Sequence, residues 1–273
     1  MPASQKPVAL VTGASSGMGK DFAMRLLAEG YVVYAAARRL ERMQDIVARG
    51  GLAIAMDVTD DASMQSGVEQ IISEQGRIDV LVNCAGYGQY GAIEDVPIDL
   101  ARRQMEVNLF GLARLTQLCL PHMRARKFGR IVNISSIGGK LTTPLGGWYH
   151  ASKFALEGWS DVLRNEVRGF GIDVIVIQPG GIETEWSDIA TGEASRISGS
   201  GPYGKLVQAF VRGQSRMRKA PPPSVITALL SKAVGAARPR TRYAGGMLAK
   251  PLLFLRRWLP DRIFDQLIMS AFR

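Results

Sequence analysis

Residues 12–19 read TGASSGMG and join an apolar run, Pro7–Thr12, to a stretch with helical spacing, Gly17–Glu29. The run predicts a buried strand followed directly by a helix. The three glycines allow a tight turn and a close approach of the backbone to a pyrophosphate, whose charge the helix N-terminus attracts. An ordinary glycine-rich turn is the alternative, but the position directly after the first strand favours a dinucleotide-binding turn.

Outward from this stretch, strand-like and helix-like segments alternate. Strands that are apolar on both faces and alternate with helices are typical of a parallel sheet covered on both sides. We therefore predict an α/β fold, a Rossmann-type doubly wound parallel sheet with helices on both faces, in one domain over residues 1–273. The predicted strands are Pro7–Thr12, Tyr31–Ala37, Leu52–Met56, Asp79–Asn83, Arg130–Ser135, Ile172–Gln178 and Thr241–Gly246. The predicted helices are Gly17–Glu29, Leu40–Ala48, Ala62–Glu74, Ile98–Arg126, Tyr149–Arg168 and Ser224–Ala237.

The pattern changes after Pro179. Residues 181–220 are rich in Gly, Ser and charged residues. We predict a substrate lid over about residues 183–222, with one short helix near Gly204–Arg216. A basic C-terminal extension of about residues 247–273 follows, and its helical stretch is broken around Pro260.

Charge and composition restrict the class of protein. The net charge is +10, yet residues 212–273 carry 13 Lys and Arg against two acids, so the remainder is close to neutral. This distribution argues against a nucleic-acid footprint over the whole surface. Cys84 and Cys119 are the two cysteines, which excludes a disulfide framework. No run approaches the ~18 apolar residues of a membrane span, and no His/Cys/Asp cluster has metal-ligand spacing, so we expect a cytoplasmic protein without a metal site.

The residues after the second predicted strand indicate which dinucleotide binds. NAD-binding folds of this type place Asp or Glu there to hold the ribose 2′-hydroxyl. Ala37 occupies the position here, and Arg38 and Arg39 follow. A guanidinium binds a 2′-phosphate through charge-assisted hydrogen bonds, whereas an acid would repel it. A solvated helix start would also explain the arginines, but the missing acid favours NADP(H).

Tyr149 and Lys153 form a candidate acid–base pair. They are four residues apart on a predicted helix and share one face. The ordinary pKa of tyrosine is about 10, and a neighbouring ammonium is expected to lower it towards working pH. His150 points about 100° away on the helix, so we expect it to pack or to face solvent.

Five stretches in order resemble the short-chain dehydrogenases/reductases, in the branch of about 250 residues. They are TGASSGMG, Asn83-Cys84-Ala85-Gly86, Asn108, Ser136 with Tyr149-x-x-x-Lys153, and Pro179-Gly180. The resemblance covers residues 7–185 and implies an enzyme that passes a hydride between a nicotinamide and a carbonyl or alcohol carbon.

The resemblance also implies a role for each catalytic residue. Tyr149 would exchange the proton with the reacting oxygen, and Ser136 would hydrogen-bond that oxygen. Ser135 is the near competitor, and the spacing to Tyr149 favours Ser136. Lys153 would tune the tyrosine and hold the nicotinamide ribose, while Asn108 would hold a water linked to the lysine.

A larger set is implied for the cofactor. Arg38 is favoured over Arg39 by its position, Asp57 would accept from the adenine amino group, Asn83 would steady the central sheet, and Cys84 would keep a packing role. The implied cofactor-binding set is Gly13, Ser15, Ser16, Gly17, Met18, Gly19, Arg38, Arg39, Asp57, Val58, Asn83, Ala85, Gly86, Tyr149, Lys153, Pro179, Gly180, Ile182 and Thr184.

The lid and the extension resemble those of hydroxysteroid and retinol dehydrogenase-like relatives. We therefore expect a small hydrophobic carbonyl or alcohol substrate that is steroid-, retinoid- or lipid-like. A 3-oxoacyl thioester reductase acting on acyl-carrier protein is the alternative enzyme, and a non-catalytic NADP(H)-binding regulatory protein is the alternative of another class. The resemblance also implies a homodimer or homotetramer.

The C-terminal extension has a composition suited to weak contact with an anionic membrane surface, because Lys250, Arg257 and other basic residues lie beside Trp258. We favour instead a packed helix near the substrate mouth or a dimer contact, because Pro251 and Pro260 interrupt the helix.

Overall fold

The structure is a computed structural model that describes residues 6–215 and 220–272. Seven parallel strands form one sheet in the order β3-β2-β1-β4-β5-β6-β7. The strands are β1 Val8–Thr12, β2 Val32–Ala37, β3 Leu52–Ala55, β4 Val80–Asn83, β5 Gly129–Ile134, β6 Ile172–Pro179 and β7 Arg242–Gly245. The helices are α1 Gly17–Ala28, α2 Gln44–Val47, α3 Asp61–Gln75, α4 Ile98–Met105, α5 Gly111–Ala125, α6 Gly147–Val167, α7 Trp186–Ser198, α8 Gly204–Ser215, α9 Ser224–Gly235, α10 Ala249–Trp258 and α11 Asp261–Ser270.

Helices cover both faces of the sheet, as the doubly apolar strands predict. Side chains alternate across β1, so Ala9 and Val11 join a core beneath α1, α2 and α9. Val8 and Leu10 join a second core beneath α3, α5 and α6. The predicted Rossmann-type doubly wound fold is confirmed.

The strand order reverses at β1, which pairs with β2 on one side and with β4 on the other. In open parallel sheets this switch point leaves a crevice at the carboxyl ends of the strands, where ligands bind. The Thr12 side chain closes the base of the crevice. Its hydroxyl donates to the Val82 carbonyl at 3.3 Å and accepts from the backbone N–H groups of Cys84 and Ala85 at 3.0 and 3.1 Å.

Several elements differ from the sequence expectations. The long predicted helix is interrupted by a π-helical turn at Glu106–Phe110, and α2 is preceded by a 3-10 turn, Leu40–Met43. The predicted lid holds two helices, α7 and α8, where the sequence predicted one. Thr191, Gly192 and several serines make α7 a poor helix in isolation, and it is stabilised by burying Ala190 and Ala194.

The C-terminal extension is divided into α10 and α11 at Pro260, as predicted. The predicted end of the lid helix at Arg216 lies outside the described residues. Within the described ranges, no helix combines the length and the hydropathy that crossing a bilayer requires.

Candidate active site

The glycine-rich turn between β1 and α1 is shaped by close backbone contacts. Gly13 and Gly17 adopt left-handed φ angles of +68° and +51°. A Cβ on Gly19 would stand 2.4 Å from the Gly13 carbonyl oxygen. The N-cap residue of α1, Ser16, makes no side-chain cap hydrogen bond. The first N–H groups of α1 are therefore not capped by this side chain, an arrangement suited to binding phosphate.

A cleft of about 470 Å³ opens above this turn. Its volume lies within the ~300–1,000 Å³ typical of small-molecule sites. Most residues of the implied cofactor set line it. These are Gly13, Ser15, Ser16, Gly17, Met18, Gly19, Arg38, Arg39, Asp57, Val58, Ala85, Gly86 and Thr184.

The end of β2 brings two arginines to the rim of the cleft. Arg38 and Arg39 are exposed, and the Arg39 guanidinium donates to the Ser15 hydroxyl at 3.4 Å. No acid occupies the position of Ala37. A 2′-phosphate at this corner would meet two cations and one hydroxyl, so the donor set fits NADP(H).

Asp57 lines the cleft close to Arg38 and Arg103. Burial raises the pKa of this carboxyl, but hydrogen bonds from Thr59 and the charges of Arg38 and Arg103 outweigh it and leave the pKa below its usual value. The Thr59 N–H and hydroxyl donate to Oδ1 at 2.9 and 2.8 Å. Asp57 is therefore ionised at neutral pH and can accept from an amino group.

Asn83 does not reach the cleft. Its side-chain amide donates to Asn133 Oδ1 at 2.9 Å and to the Thr116 hydroxyl at 3.2 Å. These bonds join β4 to β5 and α5, which agrees with the expected sheet-steadying role. Cys84 packs against one core, and burial raises the pKa of its thiol to about 12, so the thiol is neutral.

Asn108 lies in the π-helical turn and is fully buried. Its Oδ1 accepts from the Tyr87 N–H at 3.1 Å, and its Nδ2 donates to the Tyr87 carbonyl and the Ser152 hydroxyl at 3.0 and 3.1 Å. A Cβ built on Gly86 would lie 3.2 Å from Asn108 Oδ1 and 3.8 Å from Lys153 Nζ. The amide and the ammonium therefore flank the same glycine. Such turns are frequent at functional sites.

Ser136, Tyr149 and Lys153 meet at the carboxyl end of β5. The Ser136 hydroxyl accepts from the Gly138 N–H at 2.9 Å and is hydrogen-bonded to Tyr149. Lys153 Nζ lies 6.0 Å from the centre of the Tyr149 ring and donates to the Ile134 carbonyl at 2.8 Å. Ser135 instead packs under Gly139 and donates to the Ser136 carbonyl. Ser136 is thus the serine that reaches the tyrosine.

The expected lowering of the tyrosine pKa is not found. Burial raises the pKa of Tyr149 to about 12, and the Ser136 hydrogen bond opposes this only in part. Burial lowers the pKa of Lys153 to about 8, against the raising effects of Cys84 and Glu157. Desolvation therefore dominates at both groups, and the lowering by Lys153 that the spacing suggested is not among the effects on Tyr149. Tyr149 is protonated at neutral pH and can act as an acid.

Aromatic side chains cover Tyr149, which is only 8% exposed. The centres of the Tyr90 and Trp186 rings lie 5.8 and 5.3 Å from that of Tyr149, and Tyr90 stacks on Phe210 at 5.0 Å. Trp186 also lines the cleft, so it contacts both the cleft and the tyrosine. None of these three aromatic residues was expected at the site from the sequence. Their only signal is that Trp186 follows Thr184 by two positions.

His150 is a packed residue. Its Nε2 accepts from the Thr143 N–H at 3.0 Å, and its Nδ1 donates to the Gly138 carbonyl at 3.0 Å. Burial lowers its pKa, so the ring is neutral. Both nitrogens are engaged in holding the loop after Ser136, as expected for a residue that does not transfer the proton.

The segment after β6 is positioned differently from the rest of the cofactor set. Gly180 donates its N–H to the Gly245 carbonyl at 2.7 Å, and Ile182 is buried in the core beneath α9. Thr184 alone of the expected Pro179, Gly180, Ile182 and Thr184 lines the cleft. Tyr149 and Lys153 do not line it either. Trp186, packed against Tyr149, occupies the boundary between the cleft and these residues.

Comparisons with known proteins agree with this geometry. A family profile described as short chain dehydrogenase matches residues 7–193. A 3-ketodihydrosphingosine reductase from Bacteroides thetaiotaomicron is 38% identical over 96% of each chain. An NADPH-dependent 3-dehydrocapnine reductase from Ornithobacterium rhinotracheale is 34% identical over 95% of each. The crystal structure of a short-chain dehydrogenase from Streptomyces avermitilis is 33% identical and superposes with a TM-score of 0.82, covering 98% of this chain and 96% of the other.

Proposed function

Because the chain belongs to the short chain dehydrogenase family, we propose that it is an NADPH-dependent reductase of a ketone carried on a long apolar chain. The observation that carries the proposal is that Ser136, Tyr149, Lys153 and Asn108 lie together directly beside the cleft that Arg38 lines. Gly86 joins the two regions, because it lines the cleft and lies against both Asn108 and Lys153.

The residues around the reacting carbonyl have separate tasks in this proposal. NADPH, when bound, supplies a hydride to the carbonyl carbon. Tyr149 donates its phenolic proton to the carbonyl oxygen, and Ser136 hydrogen-bonds the same oxygen and stabilises its developing charge. Lys153 holds positive charge beside the tyrosine as the phenolate forms. Asn108 fixes the Tyr87 backbone and, together with Lys153, flanks Gly86 at the cleft.

The apolar character of the substrate is supported by the surroundings of Tyr149. The cluster around it consists of Tyr90, Ala92, Leu145, Ala190, Ala194, Val207 and Phe210, with Trp186, Tyr203, Leu206 and Phe272 at its edge. A substrate that displaces or separates these side chains meets apolar surface, which favours an aliphatic chain. The names of the two reductases above both specify a ketone at carbon 3. Among the steroid-, retinoid- and lipid-like substrates, we therefore favour a lipid-like ketone.

A substrate panel tests the proposal through the loss of NADPH absorbance. It comprises 3-ketodihydrosphingosine, a steroid ketone, retinal, acetoacetyl-acyl-carrier protein and a short-chain ketone. We expect the highest kcat/KM with 3-ketodihydrosphingosine. Preference for the thioester would favour the 3-oxoacyl reductase alternative, and NADPH binding without turnover of any member would favour the regulatory one.

The pH dependence follows from Lys153. The kcat/KM value reports ionisations of the free enzyme, in which Lys153 has a pKa of about 8 and Tyr149 of about 12. Reduction needs the ammonium and the phenol, so we expect kcat/KM to be constant below about pH 7 and to fall by about tenfold per pH unit well above pH 8. A profile that stays constant to pH 10, with the enzyme still folded by circular dichroism, would contradict this assignment.

Self-association is also proposed. Helix α6 packs beside α4 and the π-helical turn, and the exposed side chains Phe110, Phe154 and Val162 lie on this helical layer. We expect a dimer or tetramer by light scattering at micromolar concentration. Val162→Glu should lower the mass, and a monomeric parent protein would contradict the proposal.

A further inference from the structure

The C-terminal helices α10 and α11 carry large apolar side chains on their outer surface. Phe254 and Trp258 are 64% and 66% exposed. They stand one helical turn apart on α10, with their ring centres 6.5 Å apart. Ile263 and Leu267 are likewise exposed at positions i and i+4 of α11. These helices therefore present an apolar surface that no described part of the chain covers.

Few side chains attach the two helices to the body. Ala249 is the buried residue of α10, and Phe264 is the buried residue of α11. The side chains that pack against the body thus form one narrow stripe, and the remainder of each helix faces outward. The prolines do not prevent an amphipathic arrangement, because Pro251 lies in the first turn of α10 and Pro260 between the helices.

Basic side chains accompany the exposed aromatic residues. Lys250 precedes Phe254 by one helical turn and is exposed. The Arg257 guanidinium lies 5.6 Å from the centre of the Trp258 ring. Arg262 is exposed on α11, and Arg256 pairs with Asp261 at 2.8 Å. Tryptophan and phenylalanine interleaved with lysine and arginine is the combination that suits the headgroup region of an anionic bilayer.

We infer that α10 and α11 form a docking surface for an anionic membrane. Phe254 and Trp258 enter the headgroup region, while Lys250, Arg257 and Arg262 contact lipid phosphates. Charge complementarity selects this partner over a second copy of the chain, since two copies of this surface would place like charges face to face. Weak, reversible and salt-sensitive binding is expected from helices that lie on the surface.

The docking surface is close to the proposed substrate site. Residue Ala249, at the start of α10, lies against Gly180, where an added Cβ would stand 3.1 Å from the Ala249 Cβ. At the other end of the extension, Phe272 packs at the edge of the aromatic cluster that contains Tyr149 and Phe210. Docking would therefore place the active-site end near the lipid, and this consequence alone rests on the proposed function.

Vesicle flotation of the full chain tests the docking surface. Vesicles of phosphatidylcholine alone are compared with vesicles containing phosphatidylglycerol, at low and high salt. We expect binding to the anionic vesicles only, and its loss at high salt. The double variant Lys250→Glu with Arg257→Glu should weaken binding by about tenfold or more, because each charge near the surface contributes about a fivefold effect. The double variant Phe254→Ser with Trp258→Ser should also weaken binding by about tenfold or more, because it removes the side chains that enter the headgroup region.

Matched controls lie elsewhere on the surface. Phe170→Ser removes an exposed aromatic side chain, and Arg49→Glu with Arg126→Glu reverses two exposed charges. These variants should bind vesicles as the parent does. The melting temperature of each variant checks its fold, and the salt dependence of the parent provides a reading that needs no variant.

Three results would overturn the inference: no flotation of the parent with anionic vesicles, equal flotation with both vesicle types, or equal loss in the control variants. A drop in solution mass on Phe254→Ser with Trp258→Ser, without vesicle binding by the parent, would assign the surface to contacts between copies. Flotation requires no turnover, so its failure is separate from failure of the substrate panel.

Discussion

Tyr149→Phe is expected to lower kcat for ketone reduction by about 10²–10⁴-fold, the usual contribution of general acid–base catalysis. The substitution removes only the phenolic oxygen. The ring keeps its contacts with Trp186 and Tyr90, and the Ser136 hydroxyl keeps the Gly138 N–H as a partner. The melting temperature and the Kd for NADPH should therefore stay close to the parent values, measured by circular dichroism and fluorescence titration.

Neighbouring variants separate the roles within the same site. Ser136→Ala should lower kcat with little effect on NADPH affinity. Lys153→Ala should lower both kcat and NADPH affinity, because the same ammonium supports the tyrosine and holds the nicotinamide ribose. His150→Gln is the matched control, since the imidazole nitrogens are already hydrogen-bonded to Gly138 and Thr143. It should lower stability more than it lowers kcat. Near-parent turnover by Tyr149→Phe would show that the proton comes from another group.

Arg38→Ala is expected to weaken NADPH binding by about 10²-fold and to leave NADH binding nearly unchanged. The loss corresponds to charge-assisted hydrogen bonds worth about 1.5–3 kcal/mol. Alanine is chosen rather than an acid, because a carboxylate at position 38 would also repel the neighbouring Asp57. The measurement is the ratio of the two Kd values, obtained by titration of the parent and the variant.

Two further arginines serve as comparisons. Arg39→Ala should have a smaller effect, because this guanidinium already donates to the Ser15 hydroxyl. The exposed Arg49 lies away from the cleft lining, so Arg49→Ala should change neither affinity. Equal affinities of the parent for NADPH and NADH would refute the proposed cofactor preference.

Local patterns were sufficient to predict most of the fold. Apolar runs with turn residues at their ends identify β1 to β6, because a strand inside a parallel sheet buries both faces and its neighbours in sequence are helices. The last strand, β7, is a weaker signal, since only Tyr243 of its four residues is buried. The glycine-rich turn and the four-residue spacing of Tyr149 and Lys153 are also properties of a few adjacent residues. Helix α7 could not be predicted in this way, because its stability comes from burying Ala190 and Ala194 rather than from its own sequence.

The environment of each candidate residue depended on contacts between distant segments. Tyr90 and Trp186, which are far apart in sequence, cover Tyr149, and Phe210 stacks on Tyr90. The resulting desolvation raises the tyrosine pKa, which the sequence suggested would fall. The structural choice between Ser136 and Ser135 rests on their partners. Ser136 bonds to Gly138 and Tyr149, whereas Ser135 packs under Gly139. Phe254 and Trp258 are likewise exposed because few side chains of α10 pack against the body. The sequence therefore determined the elements and the candidate chemical groups, whereas burial, which is a sum over distant neighbours, was decided by the tertiary structure alone.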